Sequence, residues 1–399
     1  MRRVYIVGAC RTPIGKFGGS LSSCSATNLG ALVIREALLR ANVNASDVDH
    51  VYMGCVLQAG LGQNIARQAS VKAGLPYKVT AETINIVCGS SLACINNAAS
   101  LIRLGDADIV VAGGTESMSN APFLLSKARF GYKMGFPMSQ TNLVDTMVND
   151  GLWDSFYNCH MGITAENIVD RYNFCRHELD SYALSSQLKA CSAIDSGAFD
   201  SEIVPVEITK SGCKSIISQD ESPRRNISLE KLGALKPAFK ADGQVTAGNS
   251  SGLNDGAAAV VLVSEEKMLE LNLKPLVEWC GGAIAGVDPA IMGLGPVAST
   301  KKLLNKLNLS MEDIDIIESN EAFASQALAV SKELGFDESK VNVNGGAIAL
   351  GHPIGASGCR ILVTLIYAML SQKSNLGLAT LCIGGGMGCS TLVRGIKNT

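Results

Sequence analysis

The chain repeats itself. Asn85 to Gly114 reads as strand, turn, helix and a strand ending in Gly-Gly, and Val341 to Gly386 reads the same way. In the first copy a helix covers Leu92 to Arg103 and an apolar strand covers Asp108 to Gly113. In the second, Gly355-Ala356-Ser357-Gly358 opens a helix over Cys359 to Leu370, and a strand over Leu378 to Ile383 ends in three glycines. Upstream, the stretch Ser46 to Tyr52 has a counterpart in Met311 to Ile317, each after a Leu-rich helix and each ending in a strand. Self-similarity at about half the chain length predicts two related α/β halves facing each other. Their strand-end loops then meet at one site, where open α/β sheets carry their chemistry.

The remaining segments fit that frame. Val4 to Val7 reads as a buried strand, Arg11-Thr12-Pro13-Ile14-Gly15 as a turn, and Ala26 to Ala41 as a helix with Ser25 or Thr27 as N-cap. Val48 to Met53 and Ala257 to Val263 are further strands. Strands apolar on both faces and alternating with helices predict a mostly parallel sheet. Between Thr115 and Thr246 the texture becomes loop-rich, with one clear amphipathic helix over Glu178 to Ala193, and this reads as an insertion on the α/β body. A chain of 399 residues, 47% hydrophobic and 18% charged, has length for two or three domains. A net charge of -2 argues against nucleic acid or an anionic membrane as partner. No apolar run approaches the ~18 residues of a membrane span. Thirteen cysteines without one Cys-x-x-Cys pair support neither a zinc site nor a thioredoxin-like motif. Free thiols, a first strand that leaves no room for a signal peptide, and no Ser-Lys-Leu ending predict a reducing cytoplasm.

The chemistry centres on Asn85-Ile86-Val87-Cys88-Gly89-Ser90-Ser91, where an apolar run ends at a cysteine just before a helix. A lone cysteine there is more often packing than chemistry. At a helix start, however, unpaired N–H groups favour a thiolate, lower its pKa and can hold a thioester oxygen. Three more stretches read as site loops. Glu318 to Ala324 follows a strand, Asn344 to Gly355 sets His352 among small residues, and Leu381 to Gly388 puts Cys382 at a strand end before glycines. With four histidines in all, the placement of His352 is informative.

These motifs, taken in order, resemble the thiolase family, and in particular its short-chain, biosynthetic branch. They are Val87 to Ser91, His160-Met161-Gly162, Thr246 to Ala258, Asn320 to Phe323, Gly345 to Gly358 and Cys382 to Gly388, and they span essentially the whole chain. The resemblance implies that Cys88 is a nucleophile taking an acetyl group from acetyl-CoA, with His352 drawing off its proton. Cys382 would be the second acid/base, first toward departing CoA and then toward the methyl of a second acetyl-CoA, with acetoacetyl-CoA as product. Asn320 would anchor a water that, with His352, stabilises the enolate oxygen. The N–H groups of Cys88 and Gly384 would form the oxyanion hole of the acetyl-cysteine. Ala247 and Ser251 would contact pantetheine, with Leu152 and His160 flanking it, Met161 near the acyl pocket, Arg224 toward the phosphates, and Phe239 and Phe323 as pocket walls. Coenzyme A arrives with the substrate, so no separate cofactor and no metal is expected.

The implied fold is a five-layer α-β-α-β-α arrangement of two α/β halves. Residues 1–118 with 247–270 would form one half and 271–399 the other, with 119–246 as a loop domain capping the site. A homotetramer built from dimers would follow, with the contact near Phe123 to Thr141. Two positions depart from the family pattern. Ser91 replaces a glycine and adds a hydroxyl where backbones come close; Ile65 replaces a proline in a segment resembling dimer-interface sequence, where it would affect stiffness rather than chemistry. Other readings fare worse. The glycines after Cys382 open no helix, which argues against a dinucleotide site. A decarboxylating ketosynthase would show a Cys-His-His set, and a non-catalytic CoA-binding protein would lack one of Cys88, His352 and Cys382. A longer-chain 3-ketoacyl-CoA thiolase is the nearest alternative, and the bulk of Met161 favours the two-carbon acyl group.

Overall fold

The computed structural model describes residues 2–132, 134, 142–210 and 212–396. Nine strands form the main path of one mixed sheet: β1 (Val4–Arg11), β2 (His50–Gly54), β3 (Thr80–Ile84), β4 (Ile109–Ser117), β5 (Asn254–Ser264), β6 (Val277–Gly286), β7 (Ile316–Ser319), β8 (Leu376–Ile383) and β9 (Met387–Gly395). Their spatial order is β3-β2-β4-β5-β1-β6-β9-β8-β7. Outward from the seam between β1 and β6, the first half runs β1-β5-β4-β2-β3 and the second runs β6-β9-β8-β7. An isolated parallel bridge from Ile317 to Val341 stands where β3 stands in the first half. The half-chain repeat is therefore a repeat of strand order. The halves join directly, with Val4 to Ile6 paired antiparallel to Val277 to Trp279.

The expectation of a mostly parallel sheet is wrong. Only β2 with β3, β2 with β4, and β7 with β8 are parallel among the main-path pairs; the centre, β4-β5-β1-β6-β9-β8, is antiparallel throughout. Apolarity on both strand faces reports helices on both faces and not strand direction. In β5, Ala258, Val260 and Leu262 pack into one buried cluster, and Ala257, Ala259, Val261 and Val263 into another. In β1, Val4 and Ile6 divide from Tyr5 and Val7 in the same way, as the two-residue period of a strand requires.

The helices supply the layers. α1 (Ala26–Ala41) and α2 (Ile65–Lys72) cover the outer face of the first half; Ser25 caps α1 by accepting from the Asn28 N–H at 3.3 Å. α3 (Ser90–Leu104) and α8 (Ser357–Gln372) pack on each other, and each touches strands of both halves, so they form the central layer. α6 (Gly295–Leu307) covers β6, β8 and β9 from outside, with α7 (Ala324–Leu334) against it. This is the five-layer arrangement. The segment between β4 and β5 holds more regular structure than its sequence suggested: α4 (Met161–Tyr172) precedes α5 (Arg176–Asp195), with short two-stranded ribbons around them. α4 was hidden because it opens on His-Met-Gly rather than on a usual cap residue. Its N-cap is His160, whose Nδ1 accepts from the Gly162 N–H at 3.0 Å. Arg11 closes β1 instead of lying in a turn. It is fully buried between Glu202 at 2.5 Å and Asp220 at 2.7 Å, which ties this segment to the sheet.

Ile65 and Ser91 both find structural roles. Ile65 is the first residue of α2 and is fully buried with Ala26 and Cys55. The Ser91 hydroxyl accepts the Cys359 N–H at 2.9 Å, satisfying a first-turn donor of α8 from the first turn of α3. The serine thus joins the starts of the two central helices. Among the described residues no helix is long and apolar enough to cross a membrane. Residues 133 and 135–141 of the Phe123 to Thr141 segment lie outside the described residues.

Candidate active site

Cys88 sits in a tight turn between β3 and α3. Val87 holds a left-handed φ of 51°, costly for a β-branched residue, and the turn is pinned around it. The Asn85 Oδ1 accepts the Val87 N–H at 3.0 Å, and the Ser90 hydroxyl accepts from Ile86 N–H and donates to the Val87 carbonyl. Gly89 follows because a Cβ there would come within 2.3 Å of Ile383, at the end of the strand that carries Cys382. The two cysteine loops are therefore packed together, and both cysteines are free thiols.

Burial decides the protonation state. The expectation that the helix start would lower the Cys88 pKa fails: burial pushes the thiol up to about 11, while N–H groups of Gly384 and Cys88 itself pull the other way. Cys382 is fully buried, and burial first, then the nearby Cys88 charge, raises it well above the usual thiol range rather than by a modest amount. His352 moves oppositely: burial, followed by the positive charge of Arg360, pushes it down to about 3. The resting site holds neutral thiols beside a neutral imidazole.

The tautomer of that imidazole follows from Ser357. Its hydroxyl donates to the Pro353 carbonyl at 2.9 Å and lies 2.6 Å from His352 Nδ1. With its single hydrogen spent on the carbonyl, the hydroxyl accepts from Nδ1–H. This leaves Nε2, buried and without a protein partner among the described residues, as a lone-pair acceptor. The His352 backbone N–H donates to Asn254 Oδ1 at 2.9 Å. Buried Glu116, at the end of β4, accepts from the N–H groups of Val56, Leu57 and Gly355 and so fixes the loop carrying His352.

A cavity of about 420 Å³ opens above these groups. Cys88, His352, Gly384, Leu152, His160, Met161, Arg224, Phe239, Ala247, Ser251 and Phe323 all line it. Cys382 and Asn320 do not; they stand behind the wall, Cys382 fully buried and Asn320 at 1% exposure with its N–H on the Thr380 carbonyl. Neither amide atom of Asn320 has a protein partner among the described residues. Phe239 stacks on His160 with ring centroids 4.7 Å apart and meets Phe323 edge-on at 6.2 Å. The wall also includes Val87, Met118, Ser250, Met292 and Ile354, to which the sequence assigned no role in the pocket. Ser357, Asn254 and Glu116 were missed as well. A carboxylate at the end of the apolar strand Ile109–Ser117 was a usable signal; Ser357 offered none beyond standing five residues after His352.

A mainly apolar cleft that ends at a buried thiol, a neutral imidazole with a free nitrogen and converging N–H groups has the make-up of an acyl-transfer site. Residues 4–266 match the family model for the thiolase N-terminal domain, and residues 273–395 that for the thiolase C-terminal domain. An acetyl-CoA acetyltransferase of Syntrophomonas wolfei is 53% identical over 397 residues, covering 99% of this chain and 100% of that protein. The crystal structure of the Bacillus anthracis acetyl-CoA acetyltransferase superposes with a TM-score of 0.96 at 45% identity, covering 99% of each chain. Human mitochondrial 3-ketoacyl-CoA thiolase superposes at 0.95 with 41% identity, again over 99% of each chain. The chain belongs to the thiolase family and is an acyltransferase.

Proposed function

We propose that this enzyme is a short-chain acetyl-CoA C-acetyltransferase, condensing two acetyl-CoA reversibly to acetoacetyl-CoA and CoA by a ping-pong route through acetyl-Cys88. The observation that carries the reading is the convergence of Cys88, His352 and Gly384 at the end of one cleft whose wall includes Met161. His352 Nε2 takes the Cys88 proton as the thioester arrives, and the N–H groups of Cys88 and Gly384 hold the acetyl oxygen. Cys382 returns a proton to departing CoA and then removes one from the second acetyl-CoA, while Asn320 and His352 receive the enolate oxygen through a water. Ala247, Ser251, Leu152 and His160 bracket the pantetheine arm, Phe239 and Phe323 wall it, and Arg224 faces the phosphates. The segment 119–246 caps this cleft between halves 1–118 with 247–270 and 271–399.

A cytoplasmic homotetramer, a dimer of dimers, completes the proposal. The exposed apolar ribbon Phe123–Leu125 paired with Leu143–Asp145 supports a protein contact there. The test follows loss of acetoacetyl-CoA and of a six-carbon 3-ketoacyl-CoA with free CoA, in wild type and Cys88→Ala. Turnover confined to acetoacetyl-CoA and abolished in the variant is expected. Comparable turnover of the longer substrate would make this a 3-ketoacyl-CoA thiolase of fatty-acid degradation, and no turnover of either would overturn the activity.

A further inference from the structure

Behind His352 the protein buries an ion pair that the steps above do not use. Arg360 Nη1 lies 3.4 Å from Glu318 Oε2, with the two side chains 2% and 1% exposed. Glu318 lies two residues before Asn320 on the β7 line, so the strand period puts both on one face. Arg360 lies one helical turn after Ser357, the residue that holds His352 Nδ1. Strand and helix therefore carry two levels of polar residues: Asn320 with His352, which the proposed steps use, and Glu318 with Arg360, which they do not.

Both levels carry buried polar atoms without a protein partner among the described residues. They are Arg360 Nε and Nη2, Glu318 Oε1, both amide atoms of Asn320 and His352 Nε2. The set holds both donors and acceptors, yet none of them reaches another within hydrogen-bond distance. A group that both donates and accepts fits between them, and water is the smallest. The guanidinium suits its far end, because it still has donors after binding Glu318.

We propose that Arg360, balanced by Glu318, is a positioning residue: through buried water it orders the hydrogen bonds at His352 Nε2 and Asn320. This rests on the reading of His352 as the site base. Arg360 also acts through its field, which adds to burial in holding the imidazole neutral. The other charges felt by the pair are Glu202, Glu321, Arg11 and Lys189, so its environment is otherwise mixed in sign.

The test compares Arg360→Met, Arg360→Lys and the double variant Glu318→Gln with Arg360→Met, which leaves no unpaired buried charge and serves if the single variant fails to fold. Thiolysis of acetoacetyl-CoA is measured across pH, and Cys88 alkylation by iodoacetamide is followed across the same range without substrate. The double variant should lose at least about tenfold in kcat while KM stays within about twofold, its acid limb moving to higher pH. Arg360→Lys should recover part of kcat. The alkylation profile should shift in the same direction, and because it needs no turnover it stands even if acetoacetyl-CoA is not the substrate. Wild-type kcat and an unmoved alkylation profile in the double variant would overturn the proposal, as would a KM that rises in step with the loss of kcat.

Discussion

The neutral imidazole of His352 makes stability depend on pH in a way one substitution can isolate. An unfolded histidine titrates near ~6.5, whereas burial holds His352 down to about 3 in the folded chain. Between these values the unfolded state binds a proton and the folded state does not, so stability rises with pH across that window and falls as pH drops below ~6.5. At pH ~5.0 the distance below the unfolded value is about 1.5 units, worth roughly 2 kcal/mol at about 1.4 kcal/mol per unit. His352→Asn removes the titration. It also removes the hydrogen bond to Ser357, but that loss is the same at both pH values and cancels in the difference. The assay is urea unfolding of wild type and variant at pH ~7.5 and ~5.0. Wild type should lose about 2 kcal/mol more than the variant on acidification, with the carboxylates common to both subtracting out. Parallel losses in the two proteins would show that the folded imidazole accepts a proton near its ordinary pKa, and the neutral-site argument would fall with it.

Two further substitutions probe the frame around the site. Ser91→Ala leaves the Cys359 N–H buried without its acceptor and should cost about 1–3 kcal/mol, read as a lower thermal midpoint; an unchanged midpoint would mean the hydroxyl is not what joins the two helices. Gly162→Ala places a Cβ within 2.2 Å of the Phe239 ring, which must move and unstack from His160. KM for acetoacetyl-CoA should rise several-fold with a smaller change in kcat, and unchanged KM would remove the stacked pair from the substrate wall.

Much of this site was legible because its chemistry sits in short, continuous stretches. Cys88, His352 and Asn320 each occupy a loop and Cys382 stands at the end of β8 before three glycines, and the half-chain repeat indicated that such strand ends converge. Legibility failed where the deciding partner is distant in sequence or chemically ordinary. Cys88 was expected to be acidified by its helix, but the sequence does not show that the turn is covered by the Gly384 loop and Ile383, and burial outweighs the helix start. Strand direction was misjudged because burial on two faces looks alike in parallel and antiparallel sheets. Met118, Met292 and Ile354 face the cavity, and nothing in an apolar residue's identity separates a cavity wall from a core.

The duplication explains how a site with two unlike halves can arise. The first copy carries a full strand, β3, into a tight turn and presents Cys88 at the start of α3. The second keeps only the Ile317–Val341 bridge at the matching place and continues into a loop that carries His352 to the start of α8. The Ser91 hydroxyl on the Cys359 N–H locks the two helix starts together, and Ser357 at the start of α8 fixes the imidazole. The Cys88 thiol and the His352 imidazole are thus held by one central layer, while the residues that line the cleft come largely from the segment between β4 and β5. A division of that kind leaves the cleft wall free to vary without moving the thiol relative to the imidazole. Substitutions at Leu152, Met161 or Phe239 should therefore change which acyl-CoA is accepted before they change the rate of the chemical step. A chain-length shift that always came with an altered pH profile would contradict this.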